Sequence, residues 1–377
     1  MKIVIAAISF CECVIQQANG LAALGHHVLA VMPSSLVTKT VGADIDGLFH
    51  PGVECFASTE ERPWKWTYYT DMIRAVSRFS PDILHIHDNG ELSTLALLSC
   101  FNYKPLVVTI HDVATHPGAD SQHKTRRRMI KGLLKRRADV IHLHGVTLCD
   151  KFRALNPDLA GKVTVIPHGA LTLFNYWENE TIEREPRTCL FFGRMEKYRG
   201  LDSLLKIGQM LRETVPGIKI IVAGRGSELE KYKEAMTALG IFEVHDSFIP
   251  NKDIFRYFRR ASLLLLPYHE ASQSGVVAMG FPFGLPVVAT RVGSIPEAVV
   301  DGRHGKIVPP GDTDGFAKAV RELLADGARL KRMSDCCRES AEKQDFNVLS
   351  AEFVRLYAKA IALKKRQFYG AHSVENA

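Results

Sequence analysis

The feature of this sequence that most limits its possible folds is a regular alternation of short apolar runs with helical stretches. Each run is rich in Val, Ile and Leu and has the length of a strand that is buried on both faces of a sheet. This alternation is typical of parallel α/β domains, in which helices connect neighbouring strands. In the first half, the predicted strands are residues 2–7, 27–32, 83–87, 106–110, 140–144 and 163–167, with helices at 13–24 and 66–78.

The alternation breaks once and then restarts. Residues 175–187 (NYWENETIEREPR) are polar and predict a linker. Because 377 residues are too many for one ordinary core, we expect two Rossmann-like domains, residues 1–174 and 188–348. An amphipathic helix at about 349–367 is expected to return to the first domain. In the second half, the predicted strands are 189–192, 218–223, 262–266 and 286–290, and the predicted helices are 201–214, 229–239 and 275–283.

Composition argues against several classes of protein. No apolar run reaches the ~18 residues that a membrane-spanning helix needs. The apolar start, residues 1–7, lacks the successive regions of a secretory signal and is interpreted as the first strand. The eight cysteines include no Cys-x-x-Cys, which favours reduced thiols in a cytoplasmic protein over a zinc site.

A basic turn in the second half is a candidate for phosphate binding. In the segment 191–202 (FFGRMEKYRGLD), a predicted strand ends and Arg194 follows Gly193. Ligands of open parallel sheets bind at this edge. Arg194 and Arg199 could together grip a diphosphate through charged, bidentate hydrogen bonds. A solvated basic turn would have the same composition.

The loop after the predicted strand at 262–266 is a second candidate. It reads YHEASQSG, and its small residues would let the backbone approach a ligand closely. A helix beginning near Gly275 would direct unpaired N–H groups and the positive end of its dipole toward an anion. Serine and glycine are also common helix caps, so this loop alone does not decide between the two interpretations.

Short segments along the whole chain form an ordered set that is more specific than any one of them. They are 25–28 (GHHV), 108–112 (VTIHD), 166–169 (IPHG), 193–194 (GR), 199–202 (RGLD), 224–226 (GRG), 272–276 (SQSGV), 284–290 (GLPVVAT), Gly293, 296–297 (PE) and 305–309 (GKIVP). The set resembles the family 4 glycosyltransferases of the GT-B fold, in particular bacterial polysaccharide-assembly enzymes with an SQSG variant of the donor loop. The resemblance implies two Rossmann-like domains that face a central cleft.

The resemblance also implies roles for individual positions. His111, at the end of its strand, would reach toward the donor sugar. Such enzymes usually transfer with retention of anomeric configuration and without a metal, so neither a metal nor another cofactor is expected. The donor would be a UDP- or GDP-linked sugar. The positions implied for the donor are Arg194, Arg199, Ser274, Gly275 and Val276 for its diphosphate, with Gly193 and Arg225 beside them.

One part of the family pattern is missing. Many relatives carry two glutamates around the phosphate loop that contact the sugar and the ribose, and the corresponding positions here are Ala271 and Met279. Met279 cannot hydrogen-bond ribose hydroxyls. Glu270 lies one residue before the first position, and we take it, with His111, as the candidate catalytic pair.

Polar residues after the predicted strand at 106–110 indicate the side of the sugar acceptor. His111 is interpreted as a residue that orients a hydroxyl or stabilises developing charge. Asp112, His116 and Glu91 are candidates for the acceptor side, and a metal site is disfavoured because their spacing matches no known ligand pattern. The Asp-x-Asp strings at 44–46 and 312–314 are ascribed to chance or turn chemistry. Structural and functional roles are both open for His85, His87, His142, His144 and His168.

The densest charge lies at 123–137 (HKTRRRMIKGLLKRR), with eight lysines and arginines around four apolar residues. On a helix, this pattern fits a basic amphipathic surface that rests on an anionic membrane. It fits equally a solvated helix that packs its leucines on the core. Nucleic acid is disfavoured, because no aromatic residues are interleaved with the charges.

These features predict a cytoplasmic enzyme, peripheral at the inner face of the membrane. It would move a sugar from a nucleotide sugar to a glycan or a polyprenyl-linked saccharide in polysaccharide or glycoconjugate biosynthesis. The alternative is a non-catalytic pseudo-glycosyltransferase that binds a glycan or a partner, as the missing glutamates suggest. A Rossmann dehydrogenase is excluded because the turn after the first strand, AAISFCEC, has no Gly-x-Gly-x-x-Gly.

Overall fold

Two parallel sheets, each with its own helices, organise the chain. The computed structural model describes residues 1–34, 37–38, 46–58, 66–88, 90–113 and 124–374. The first unit contains the described residues up to 113, residues 124–169 and residues 346–374, and the second is Ala170–Asp345. The predicted α/β fold with two Rossmann-like domains is confirmed.

The first unit is built on a seven-stranded sheet in the order β3-β2-β1-β4-β5-β6-β7. Its strand pairings are parallel, and Ile3 of the first strand lies between Val28 and Ile83 of its neighbours. Polar residues that follow successive strands therefore meet at one edge of the sheet. The strands are β1 (Lys2–Ala6), β2 (His27–Pro33), β3 (Val53–Ser58), β4 (Ile83–His87), β5 (Leu106–Thr109), β6 (Val140–Leu143) and β7 (Val163–Val165).

Helices cover this sheet and close its core. Val4 and Leu84 of the sheet share one apolar cluster with Met72 and Val76 of a covering helix. Burying such a side chain stabilises the fold by about 1.5–3 kcal/mol. The helices before the second unit are α1 (Cys11–Ala23), α2 (Trp66–Phe79), α3 (Leu92–Cys100), α4 (Lys124–Arg137) and α5 (Val146–Leu155).

The second unit is a six-stranded parallel sheet in the order β10-β9-β8-β11-β12-β13. Strand order reverses beside β8, so the carboxyl ends of β8 and β11 border the crevice where ligands of such sheets bind. The strands are β8 (Thr188–Phe192), β9 (Lys219–Gly224), β10 (Phe242–Asp246), β11 (Leu263–Leu266), β12 (Val287–Thr290) and β13 (Gly305–Val308). The helices are α6 (Leu201–Thr214), α7 (Lys233–Ala238), α8 (Asn251–Arg260), α9 (Gly275–Gly280), α10 (Ile295–Ala298), α11 (Thr313–Ala325) and α12 (Gly327–Lys343).

The C-terminal helix α13 (Phe346–Val374) belongs to the first unit, as predicted. It packs closely on α1, where a Cβ at Gly20 would overlap the Phe346 carbonyl group and the Ser350 hydroxyl. Its buried face includes Phe353 and Tyr357. The helix extends beyond the predicted 349–367 at both ends.

Edge strands and short helices account for most of the differences from the predicted elements. β3, β10 and β13 lie at sheet edges, and none of them was predicted. In β10 (FEVHD), polar residues interrupt the apolar run, and every residue is only half-buried. The predicted helix 229–239 is divided into a 3-10 turn, Leu229–Lys231, and α7, and the helix predicted at 275–283 ends at Gly280.

The polar stretch 175–187, predicted as a linker, lies just after the junction of the two units and is fastened to the second unit. It begins in a 3-10 helix, Thr172–Trp177. Glu178 then pairs with Arg259 of α8 at 2.7 Å. Arg184 donates hydrogen bonds to the carbonyl oxygens of Phe283 and Gly284 at 2.7 and 3.3 Å. Its polarity therefore serves contacts with protein rather than with solvent alone.

No helix within the described ranges is long and apolar enough to cross a membrane.

Candidate active site

In the second unit, the loops that follow neighbouring strands touch backbone to backbone. Gly193, directly after β8, has φ +120°, and its amide donates to the Ala223 carbonyl oxygen at 3.0 Å. A Cβ at Gly224 would overlap the carbonyl oxygen of Gly193, and a Cβ at Gly200 would overlap that of Pro267. These glycines are therefore required by the close approach of the loops after β8, β9 and β11.

Arg194 and Arg225 are both exposed at this edge. The amide of Met195, next to Arg194, donates to the Arg225 carbonyl oxygen at 2.9 Å, which fixes the two loops against each other. The Arg225 guanidinium lies 5.9 Å from the centre of the Phe248 ring. Arg194 follows the carboxyl end of β8, and its role in ligand binding stays a prediction.

Arg199 is placed differently from Arg194. Its Nη1 donates hydrogen bonds to the Phe192 carbonyl oxygen at 3.0 Å and to the Tyr268 hydroxyl at 2.8 Å. Burial disfavours its charge, but the nearby Tyr268 and Tyr198 outweigh that effect and raise the pKa of Arg199. The side chain therefore fastens the loop after β8 to the loop after β11, and the two arginines do not form an exposed pair.

The loop with sequence YHEASQSG is held from two sides. The amides of His269 and Glu270 both donate to the Tyr198 carbonyl oxygen, at 2.8 and 3.3 Å. On the other side, a Cβ at Gly293 would overlap the Ala271 carbonyl oxygen. The Ser294 amide also donates a hydrogen bond to the Ser272 carbonyl oxygen at 3.0 Å. The path of this loop is therefore set by backbone contacts.

The start of α9 lies at the end of this loop. Ser274 is the extended residue before the helix, with φ −127° and ψ 101°, and Gly275 is its first residue. Ser274 and Gly275 are half-buried, whereas Val276 is buried. The three predicted donor positions are consecutive at the carboxyl end of the sheet, as the sequence pattern indicates.

A histidine–aspartate pair beside Glu270 was not predicted. His269 Nε2 lies 2.7 Å from Asp202 Oδ1, in the first turn of α6. Burial opposes the charge of Asp202, but the hydrogen bond from His269 lowers the pKa of this carboxyl overall. The two residues are far apart in sequence, so only the fold brings them together. Glu270 itself is exposed.

In the first unit, histidines gather at the carboxyl ends of β4 to β7. His111 Nε2 lies 2.9 Å from His87 Nδ1, and the ring of Phe10 stacks on His111 at 3.8 Å. Burial, and then the neighbouring His87 and His168, hold the pKa of His111 well below its usual range. Both effects favour the neutral form of the His111 imidazole. The other members of the group are His85, His142, His144 and His168.

The other candidates in the first half have varied surroundings. Asp112 is exposed, and His116 lies outside the described residues. Glu91 pairs with Arg127 at 2.9 Å and with Arg126 at 3.5 Å, so the structure directs it toward α4. Within the described ranges, no group of three His, Cys, Asp or Glu side chains has a geometry that would hold a metal ion.

Of the two Asp-x-Asp strings, only the one at 312–314 is fully described by the structure. The Asp312 carboxylate accepts a hydrogen bond from the Gly315 amide at 2.8 Å and caps α11, which confirms the turn chemistry predicted there. The string at 44–46 has residues 44 and 45 outside the described part of the chain.

Helix α4 has both an inward and an outward apolar face. Ile130 and Leu134 are fully buried, whereas Met129 and Leu133 are 61% and 45% exposed. Several of its basic residues pair with acids, including Lys131 with Asp88 at 3.3 Å. The outward face consists of Arg128, Met129, Leu133 and Arg136, and we call these four residues the outer face of α4.

Comparison with known families places this chain in one class of enzyme. Residues 12–173 match the family described as Glycosyltransferase Family 4, and residues 186–326 match the family described as Glycosyl transferases group 1. The chain therefore belongs to the family 4 glycosyltransferases of the GT-B fold, and it is a glycosyltransferase.

Individual proteins agree with this assignment. The chain is 25% identical over 379 residues to glycogen synthase of Mycobacterium tuberculosis, covering 91% of this chain and 89% of that protein. It is 26% identical over 355 residues to phosphatidyl-myo-inositol mannosyltransferase of Mycolicibacterium smegmatis, covering 91% and 88%. Its fold matches that of HepE from Anabaena, solved in complex with UDP-glucose, with a TM-score of 0.68, 16% identity and coverage of 94% and 99%.

Proposed function

We propose that this glycosyltransferase moves a sugar from a nucleotide sugar to a glycan or lipid-linked saccharide, with retention of anomeric configuration. The observation that supports the donor assignment most is the set of tightly packed loops at the carboxyl ends of β8, β9 and β11. Arg194 is exposed on one of them, at the edge where open parallel sheets bind ligands. No metal and no other cofactor is part of the proposed reaction.

The donor diphosphate would be bound by charge and by backbone amides. Arg194 contacts it through its guanidinium, and the amides of Ser274, Gly275 and Val276 contact its phosphates or the donor sugar. Arg199 acts from behind Gly193 as a fixed positive charge, and Arg225 lies at the rim. Negative charge on the diphosphate grows as its bond to the sugar breaks, so fixed donors stabilise the transition state more than the bound substrate.

His111 and Glu270 are proposed to contact the sugar. A neutral His111 orients a hydroxyl through a hydrogen bond and does not repel the positive charge that develops on the sugar ring. Glu270 is exposed on the donor loop and would replace the glutamate that many relatives carry at the position of Ala271. On the acceptor side, Asp112, His116 and Glu91 stay predictions.

UDP-linked sugars are proposed as the first donors to test, followed by GDP-linked sugars. The support is the fold shared with HepE, which was solved with UDP-glucose.

The acceptor is proposed to be a lipid-linked saccharide at the anionic cytoplasmic face of the membrane. One relative is named for a mannosyl transfer to phosphatidyl-myo-inositol, which is a membrane lipid. The outer face of α4 offers two apolar side chains between Arg128 and Arg136, a combination that suits an anionic lipid surface.

The experiment for the proposed function is a transfer screen with UDP-, GDP- and dTDP-sugars and polyprenyl-linked saccharide acceptors. We expect one class of donor to yield a glycosylated acceptor with the anomeric configuration of the donor, and chelators to leave the rate unchanged. A folded protein that neither transfers nor hydrolyses any donor would contradict the proposal.

A pseudo-glycosyltransferase is the second candidate, and the absence of glutamate at Ala271 and Met279 favours it. This candidate predicts glycan or partner binding without nucleotide binding. Calorimetry with nucleoside diphosphates distinguishes the two functions, because only the enzyme needs a diphosphate site.

A further inference from the structure

The buried histidines of the first unit form a chain of hydrogen bonds with a defined direction. It begins at β6, where His142 Nε2 lies 3.0 Å from the Ile166 carbonyl oxygen. A carbonyl oxygen can only accept, so this nitrogen carries the proton. His142 is fully buried, and burial lowers its pKa to about 4, so at neutral pH its Nδ1 has a lone pair.

Thr109 connects His142 to His85 of β4 and fixes the direction of the next hydrogen bonds. Thr109 Oγ1 lies 2.8 Å from His142 Nδ1 and 2.6 Å from His85 Nε2. The Thr109 hydroxyl must donate its one proton to the lone pair of His142. Its oxygen therefore accepts from His85, which places the His85 proton on Nε2 and the lone pair on Nδ1.

That lone pair determines the orientation of Gln17 in α1. His85 Nδ1 lies 2.8 Å from the Tyr357 hydroxyl and 3.2 Å from Gln17 Nε2. If the Gln17 amide were reversed, its oxygen would face the lone pair of His85, and two hydrogen-bond acceptors would oppose each other. The amide nitrogen must therefore face His85, and it also donates to the Tyr357 oxygen at 3.2 Å.

The fixed amide then orients the two remaining imidazoles. The Gln17 oxygen lies 3.4 Å from His87 Nε2, so His87 carries its proton there. His87 Nδ1 is then a hydrogen-bond acceptor, and the group 2.9 Å away is His111 Nε2. The chain ends with the proton of His111 on Nε2.

We propose that His87 and Gln17 are positioning residues that hold His111 as the Nε2–H tautomer, with its lone pair on Nδ1. In this state, His111 accepts a hydrogen bond from a sugar hydroxyl through Nδ1 and does not donate one from that nitrogen. The consequence for transfer rests on the proposed function, whereas the proton positions rest on the hydrogen bonds and on the burial that keeps the rings neutral. The histidine group is thus a device that selects between the two nitrogens of one ring.

The proton positions can be measured directly in the full chain without substrate. Protein labelled with ¹⁵N in its histidine rings gives two-bond ¹H–¹⁵N correlation spectra, in which the two neutral tautomers and the charged ring have different patterns. His111→Gln and His87→Gln identify the signals of those rings. We expect His111 and His87 as Nε2–H at neutral pH. An Nδ1–H pattern or an exchange average at His111 would overturn the proposal.

Gln17→Leu tests the relay at a residue that does not bond to His111. We expect His87 and His111 to lose their single tautomer and kcat to fall roughly 10-fold or more, with little change in KM for the donor. This loss is well below the roughly 10⁴-fold effect of a catalytic histidine held in the wrong tautomer. Gln16→Leu is the matched control, since Gln16 lies in the same helix and bonds to the Glu12 carbonyl oxygen. Unchanged Nε2–H patterns in Gln17→Leu would contradict the relay.

Gln17→Glu keeps the volume of the side chain and replaces the donor that faces His85 with an acceptor. We expect a proton to appear on His85 Nδ1 in this variant, and an unaltered His85 pattern would count against the chain. These spectra do not depend on turnover. Failure to detect transfer would leave the proton positions standing, and a reversed tautomer would leave the transferase proposal standing.

Discussion

At the scale of single residues, the donor region depends on how closely backbones approach. Gly200 and Gly217 both have positive φ, +72° and +75°, but their surroundings differ. A Cβ at Gly200 would overlap the Pro267 carbonyl oxygen, whereas a Cβ at Gly217 would meet no atom within 4 Å. The first glycine is needed for conformation and for space, and the second for conformation alone.

This contrast predicts different costs for the same substitution. Gly217→Ala should lower the free energy of unfolding by about 1–2 kcal/mol, the cost of a left-handed alanine. Gly200→Ala should cost more and should also weaken nucleotide binding, because the donor loop must move away. Urea unfolding and calorimetry of both variants measure these effects. Equal losses of stability in the two variants would contradict the assigned contact.

Arg194 should matter for transfer and little for folding. Its side chain is exposed, so Arg194→Ala should change the free energy of unfolding by about 0.5 kcal/mol at most. Loss of a hydrogen bond to a charged group costs about 1.5–3 kcal/mol, so kcat/KM should fall ~10- to 100-fold. Arg212→Ala, an exposed arginine of α6, is the control. Parallel losses of stability and rate would count against a direct role for Arg194.

Sequence patterns predict residues near strand ends better than they predict partners. Arg194 follows Gly193 at the end of an apolar run, and the run itself indicates where the ligand edge lies. The contacts of Arg199 were not predictable, because one of its partners, Tyr268, comes from a loop far along the chain. The His269–Asp202 pair was missed for the same reason.

At the scale of elements, continuous apolar runs become central strands and mixed sequences become edges. β11 (LLLL) is fully buried and was predicted, whereas the edge strand β10 was not. An edge strand has one exposed side, so its composition approaches that of a loop. The second unit fastens this edge with Arg260 of α8, which bonds Glu185 at 2.5 Å and Glu243 at 2.7 Å.

Arg260→Met should destabilise the edge at β10, and the loss of stability should depend on pH. Hydrogen bonds from Arg260 are the largest cause that lowers the pKa of Glu243 to about 2. A lowered folded-state pKa stabilises the protein above the unfolded value, roughly 4.3, and this stabilisation is lost as pH falls toward 2. The free energy of unfolding of the wild type should therefore exceed that of Arg260→Met by on the order of 1 kcal/mol at neutral pH. This difference should become smaller in acid.

Urea unfolding of both proteins at neutral and acidic pH measures the gap. Arg256→Met is the control, since Arg256 pairs with Glu180 at 2.9 Å but is half exposed. A gap that does not depend on pH would show that Arg260 acts through packing alone.

The outer face of helix α4 is predicted to bind anionic membranes. Arg128→Glu with Arg136→Glu should weaken binding to anionic vesicles at least ~30-fold, because each basic residue near the surface contributes about 1 kcal/mol. Met129→Ser with Leu133→Ser should weaken it through lost apolar burial. Vesicle flotation measures both variants, and Lys206→Glu with Arg212→Glu on α6 matches the charge change elsewhere. Equal effects of the two charge reversals would contradict a specific outer face.

At the scale of the whole molecule, two complete parallel sheets are joined in one chain, and the last helix returns to the first unit. The repeated alternation and the ordered motifs predicted this arrangement, because each sheet needs its own set of apolar runs. The histidine chain could not be predicted. It requires residues of α1, β4, β5, β6 and α13, and strand periodicity indicates only which histidines share a face.

Calorimetric titration of the full protein with UDP and GDP shows whether this chain binds the nucleotide part of a nucleotide sugar. We expect saturable binding of at least one of the two. We also expect an affinity ~10- to 100-fold weaker in Arg194→Ala, with unfolding unchanged. A correctly folded protein that binds neither nucleotide would contradict the account.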